Sequence, residues 1–124
     1  MSQFTPTNAV VWFEIPVSDL DKSASFYETV LNTKLTEMDM GGGVTKIFPT
    51  DNPNNPAGHL YQSDSSVRSD MVVHLAAPEP LEESMGRVME AGGEVTGEIT
   101  PLPVGRFVYC KDPDGNQIGL YTAN

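Results

Sequence analysis

The stretch VVWFEIPVSDLDKSASFYETVLN, residues 10–32, decides the fold because its periodicity changes in the middle. Over Val10 to Val17 two faces separate, Phe13, Ile15 and Val17 on one and Trp12, Glu14 and Pro16 on the other, which is the period of a strand. Ser18 or Asp19 can then cap a helix, in which Leu20, Phe26, Tyr27, Val30 and Leu31 mark an apolar stripe until Asn32 ends it. The strand's apolar face is expected to pack on that helix, and the stripe reads as core. The same strand, polar turn and amphipathic helix return between Met71 and Val95, about 60 positions later, so the chain divides into two similar halves.

Working outward, Lys34 to Met40 and Val44 to Thr50 read as strands joined by Gly41, Gly42 and Gly43, whose backbone freedom suits a hairpin. No helix start or lysine of a phosphate loop follows the glycines. The segment Asp51 to Pro56 is a loop, either a connection or the rim of a pocket, and it leads to a strand at Ala57 to Gln62. In the second half Met71 to Ala77 is a strand, and Pro80 suits the first turn of a helix. Leu81, Met85, Val88 and Met89 give that helix its stripe before Gly92 and Gly93 stop it. Strands follow at Glu94 to Thr100, Arg106 to Lys111 and Gln117 to Thr122, the last two joined by the turn Asp112 to Asn116. Each half therefore reads strand, helix and three strands.

The 124 residues are enough for one domain and too few for two independent cores. Seven basic against 17 acidic residues give a net charge of −10, which repels phosphate backbones and anionic lipid and argues against nucleic-acid and membrane partners. The acidic residues are scattered over turns and helix faces, as solubility requires. The single Cys110 lies in the apolar run Phe107 to Cys110 and reads as a buried thiol in a reducing compartment. Met1 to Asn8 lacks the character of a signal segment and no apolar run reaches membrane-spanning length, so a cytoplasmic protein is expected.

The run Glu14 to Tyr27, the Ala91-Gly92-Gly93 helix end and the closing Asp112-Pro-Asp-Gly-Asn-Gln-Ile-Gly119 resemble the vicinal oxygen chelate superfamily. That superfamily holds glyoxalase I, bleomycin-resistance proteins and extradiol dioxygenases, and the resemblance covers nearly the whole chain. It implies an α+β fold, a single glyoxalase-like domain over residues 8–124 built from two βαβββ modules, about 8–64 and about 69–123. Curled mixed sheets would surround a concave cavity, and a homodimer is expected. The scaffold does not fix the reaction, because members of one fold carry different chemistries.

The resemblance also implies where a metal's ligands would stand, namely at Trp12, at Val72, at Gly119 (a glutamate in the metal enzymes), and on the strand of Gly58, His59 and Leu60. Only His59 among these carries a metal donor, whereas a zinc-type site takes about three protein ligands. No metal or other cofactor is therefore expected, and the missing ligands argue against glyoxalase I activity itself.

Two residues beyond Trp12, Val72 and Gly119 stand Glu14, His74 and Tyr121, which strand alternation turns to the same cavity. Glu14 and His74 are repeat-equivalents. They can serve as a general acid/base pair or as a satisfied buried pair that fixes the halves in register. Trp12 suits a stacking platform with Phe48, Tyr61, Phe107 and Tyr109 as walls, Tyr121 can orient a substrate oxygen, and Arg106 either receives a carboxylate or forms a surface salt bridge.

The expected function is metal-free binding of a small organic ligand, with two readings of its purpose. One is a lyase or isomerase reaction through Glu14 and His74, and the other is sequestration of the bleomycin-resistance type without chemistry, which the acidic surface favours for a cationic ligand. An interaction protein with a vestigial cavity is a third reading. A metal-dependent lyase or dioxygenase, with iron on His59, His74 and Glu14, is the remaining alternative.

Overall fold

The computed structural model describes residues 3–39, 41–63 and 71–124. Two compact units form, one of Trp12–Met71 and one of Val72–Asn124 together with the N-terminal segment as far as Val11. Within the latter, the Ala76 amide donates to the Ala9 carbonyl at 3.0 Å.

The first module runs β1 (Val10–Val17), α1 (Leu20–Leu31), β2 (Thr36–Asp39), β3 (Val44–Ile47) and β4 (Ala57–Gln62). β1 lies parallel to β4, β4 antiparallel to β3, and β3 antiparallel to β2. The second module runs β5 (Val72–Ala76), α2 (Leu81–Glu90), β6 (Glu94–Val95), β7 (Thr100–Leu102), β8 (Gly105–Lys111) and β9 (Gln117–Ala123). Its first strand is again parallel to its last, β5 on β9, and β8 is antiparallel to β9, β6 and β7. The chain is an α+β protein in which the βαβββ order occurs twice on mixed sheets.

The second module has one break that periodicity did not reveal. Glu94 to Thr100 is not one strand: from Val95 to Thr100 the chain advances five residues while its partner retreats only three, from Cys110 to Phe107. Two extra residues bulge out, so β6 and β7 are separate strands on one partner. In the first module the hairpin strands are shorter than the sequence suggests at their far ends, β2 beginning at Thr36 and β3 ending at Ile47, while Gly41 and Gly43 take positive φ (93° and 125°) and close the turn on β3 at Val44 as expected. Met40, the expected end of the strand before it, lies outside the described residues.

α1 begins as its sequence dictates. Asp19 stands extended at the N-cap and its carboxylate accepts from the Lys22 amide at 3.0 Å, while Asn32 adopts the left-handed conformation at the C-cap (φ 52°). Its buried residues are Leu20 and Ala24, which with Leu35 and Leu60 make the first core, packed by Ile15, Val17, Tyr27 and Phe48. Phe26, Val30 and Leu31 depart from the expected stripe, being 54–61% exposed. The buried line follows Leu20, Ala24 and Tyr27 at spacings of four and three, which turns Phe26 and Val30 off the sheet. In α2, Leu81 is fully buried and Met85 and Val88 pack on the second core of Ala77, Leu81, Val108 and Cys110, but Met89 is exposed. No helix among the described residues is long and apolar enough to cross a membrane.

Candidate functional site

In each module one face of the sheet packs on the helix, and the other carries the polar and aromatic residues. In the first module Ile15, Val17 and Leu60 belong to the helix-side core. Alternation therefore turns Trp12 and Glu14 of β1 and His59 and Tyr61 of β4 to the opposite face. The register sets Glu14 beside His59, and His59 beside Ile47 on β3. His59 is 8% exposed and sits at the centre of a cluster. The Trp12 indole Nε1–H donates to its Nδ1 at 2.8 Å, and its Nε2 lies 3.9 Å from Glu14 Oε1, a carboxylate whose side chain is only 14% exposed. The Trp12 and Tyr61 rings flank the imidazole, centroids 5.7 and 6.1 Å away.

Two residues on this face were not anticipated, Thr45 and Ile47, which register opposite Tyr61 and His59. Thr45 is buried and its hydroxyl donates to the Met38 carbonyl at 2.8 Å. Phe48, expected as a ligand wall, is on the other side. It follows Lys46 by two residues and packs on the Phe13 and Tyr27 rings at 5.3 and 5.4 Å in the helix-side core. Gly58 makes that packing feasible, because a Cβ there would run into the Phe13 ring.

In the second module Val108, Cys110, Ile118 and Leu120 take the helix side, leaving His74, Phe107, Tyr109, Gly119 and Tyr121 on the opposite face with the buried Val72. The register places His74, Gly119 and Tyr109 in one row across β5, β9 and β8. Gly119 leaves a gap in that row and the His74 imidazole fills it, so that a Cβ at residue 119 would overlap His74 Nδ1. His74 is 5% exposed, with the rings of Phe107 and Tyr109 at 5.3 and 5.6 Å, and those two rings meet edge to face at 5.2 Å. Tyr121 is anchored through its hydroxyl, which donates to the Val104 carbonyl at 3.1 Å, and burial pushes its pKa above the usual tyrosine value.

Arg106 is not on this face. It alternates with Phe107 and turns to α2, where its guanidinium donates two hydrogen bonds to the Glu82 carboxylate at 2.9 and 3.0 Å. The pairing holds Glu82 well below the usual carboxylate range, at about 2, and of the two roles expected for Arg106 the surface salt bridge is the one formed.

The positions that the resemblance assigns to a metal do not suit one. Trp12 offers an N–H donor, Val72 no lone pair, Gly119 no side chain and no space for one, and His59 already spends Nδ1 on Trp12. Among the described residues no three His, Cys, Asp or Glu side chains form a group that could hold a metal ion, so the set of Glu14, His59 and His74 gains no support as an iron site.

Paired βαβββ modules, each with a helix-free face lined by aromatic and titratable residues, define a class, and comparison of the sequence places the chain in it. The chain belongs to the Glyoxalase/Bleomycin resistance protein/Dioxygenase superfamily, whose family model matches residues 9–120. No curated protein matches the chain significantly in sequence. Among solved structures it is similar to the Mn(II)-bound glyoxalase from Novosphingobium aromaticivorans (TM-score 0.68, 20% identity), covering 92% of this chain and 38% of that one. It is also similar to a superfamily member from Vibrio splendidus 12B01 (TM-score 0.66, 17% identity, covering 91% and 97%). Methylmalonyl-CoA epimerase from Mycobacterium tuberculosis is a third relative in fold (TM-score 0.65, 14% identity, covering 98% and 93%). At these identities the likeness is one of fold.

Proposed function

We propose that this protein binds a small organic molecule, planar and cationic in character, without a metal ion, on the helix-free face of Trp12, Glu14, His59 and Tyr61. The observation that carries the reading is a mostly buried carboxylate set among aromatic rings: Glu14 is 14% exposed beside His59, with Trp12 and Tyr61 flanking that imidazole. Aromatic faces and a carboxylate together attract organic cations, and the net charge of −10 raises their local concentration. The aromatic row of His74, Phe107 and Tyr109 gives the second module a comparable apolar face.

A thermal-shift screen tests this with aromatic ammonium compounds, neutral planar compounds, aromatic carboxylates and divalent metal ions as separate arms. Aromatic ammonium compounds should raise the melting temperature, and Glu14→Gln should remove most of that rise. A rise with metal ions alone, or with carboxylates in preference to ammonium compounds, would overturn the reading.

A second reading is proton transfer within a lyase or isomerase with Glu14 and His74 as its acid and base; what supports it is limited to Glu14, a mostly buried carboxylate with an imidazole nitrogen, His59 Nε2, at 3.9 Å. An epimerase among the structural neighbours fits a fold able to house proton transfer, though as analogy alone. Glu14→Gln and His74→Ala should then keep ligand affinity and abolish turnover. Absence of turnover by the unmodified protein on every ligand it binds leaves sequestration as the function.

A further inference from the structure

We infer that Trp12 is a positioning residue: its indole N–H fixes His59 as the Nε2–H tautomer and so turns a hydrogen-bond donor toward Glu14. An indole nitrogen can only donate, whereas a neutral imidazole carries one donor and one acceptor nitrogen. At 2.8 Å from Trp12 Nε1, His59 Nδ1 must supply the lone pair, and the ring proton then resides on Nε2. The opposite tautomer would set two N–H groups against each other within a cluster where His59 is 8% exposed, leaving a buried donor unsatisfied.

The backbone holds this arrangement in place. Glu14 and His59 are direct register partners on the parallel pair β1 and β4, while Trp12 is opposite Ala57, two residues before His59. Trp12 therefore reaches the imidazole diagonally from one side and Glu14 laterally from the other. The Nε2 to Oε1 separation of 3.9 Å is longer than a direct hydrogen bond, so the Nε2–H acts on the carboxylate as an oriented dipole.

This deepens the proposed binding reading and rests on it only for its functional meaning. A ligand on this face therefore meets no imidazole lone pair at His59, and a metal ion finds none to coordinate, because Nδ1 is committed to Trp12 and Nε2 holds the proton.

The test needs no ligand, so it fails or succeeds separately from the binding screen. Uniformly 15N-labelled protein, held well above the ordinary histidine pKa of about 6.5, is examined by long-range proton–nitrogen correlation through the imidazole carbons. His59 and His74 are the only histidines, and His74→Gln assigns the two patterns. In the unmodified protein His59 should show a single protonated Nε2 and an unprotonated Nδ1. Trp12→Phe, which keeps an aromatic ring and removes the N–H, should lose that single-tautomer pattern, while Glu14→Gln should retain it. A protonated Nδ1 or a tautomer mixture in the unmodified protein overturns the inference whatever the variants do. So does loss of the pattern in Glu14→Gln with retention in Trp12→Phe, which would assign the tautomer to the carboxylate.

Discussion

Gly119 is the residue at which a missing side chain does most to shape the site. The imidazole of His74 lies where a Cβ at 119 would stand, so the two positions exclude each other's side chains. Gly119→Ala should destabilise the protein by about 1–3 kcal/mol, the usual cost of overpacking, as read from the midpoint of urea denaturation at unchanged slope. His74→Ala in the same chain should recover much of that loss, a coupling that a double-mutant cycle measures directly. Additive effects would show that strain lies elsewhere in β9. The same scale shows what the sequence withheld. Glu14 and His74 are repeat-equivalents, a relation readable from the sequence, whereas the closeness of Glu14 to His59 is set by the lateral register of β1 on β4. Register between strands over 40 positions apart leaves no local signature, whereas the face each residue occupies does. Arg106 and Phe107 are adjacent, so alternation alone forbade placing both on one face of β8, and Ile47 and Phe48 obey the same constraint beside β3.

At the scale of elements, helix ends were the most legible feature, since capping depends on neighbours in sequence. Asp19 and Asn32 do at α1 what their side chains and conformations favour. Asp19→Ala removes the acceptor for the Lys22 amide and should cost about 1 kcal/mol in chemical denaturation, whereas Asp19→Ser should cost a fraction of that. The link between α2 and β8 was not legible, because it depends on which way Arg106 turns. Glu82 has its folded pKa lowered from 4.5 to about 2, first of all by its hydrogen bonds from Arg106, so its stabilising effect is complete above pH about 4.5 and disappears as the pH falls through about 2. Comparing acid unfolding of the unmodified protein with that of Arg106→Ala should give curves that differ above this window and converge at its lower end. The difference should be small and shrink with added salt, because the pair is exposed.

For the whole molecule, composition and repetition conveyed the architecture, while the interior of each module had to be seen. The duplicated βαβββ order was readable from periodicity and turn residues, but the bulge that divides β6 from β7 was not, since it depends on the register against β8. Cys110 was readable as a buried thiol. Its full burial in the second core raises its pKa above the usual thiol value, so both access and ionisation are suppressed in the folded state. It therefore serves as a built-in reporter of opening of the second module. Alkylation of the native protein by iodoacetamide should be far slower than that of the urea-unfolded chain and should follow the opening equilibrium. Leu81→Ala removes a fully buried side chain from the same core, at a cost of about 2–5 kcal/mol, and should speed native alkylation at least tenfold. If Leu81→Ala lowers stability in denaturation but leaves the alkylation rate unchanged, the thiol is reached by a fluctuation confined to β8, and the second module does not open as one unit.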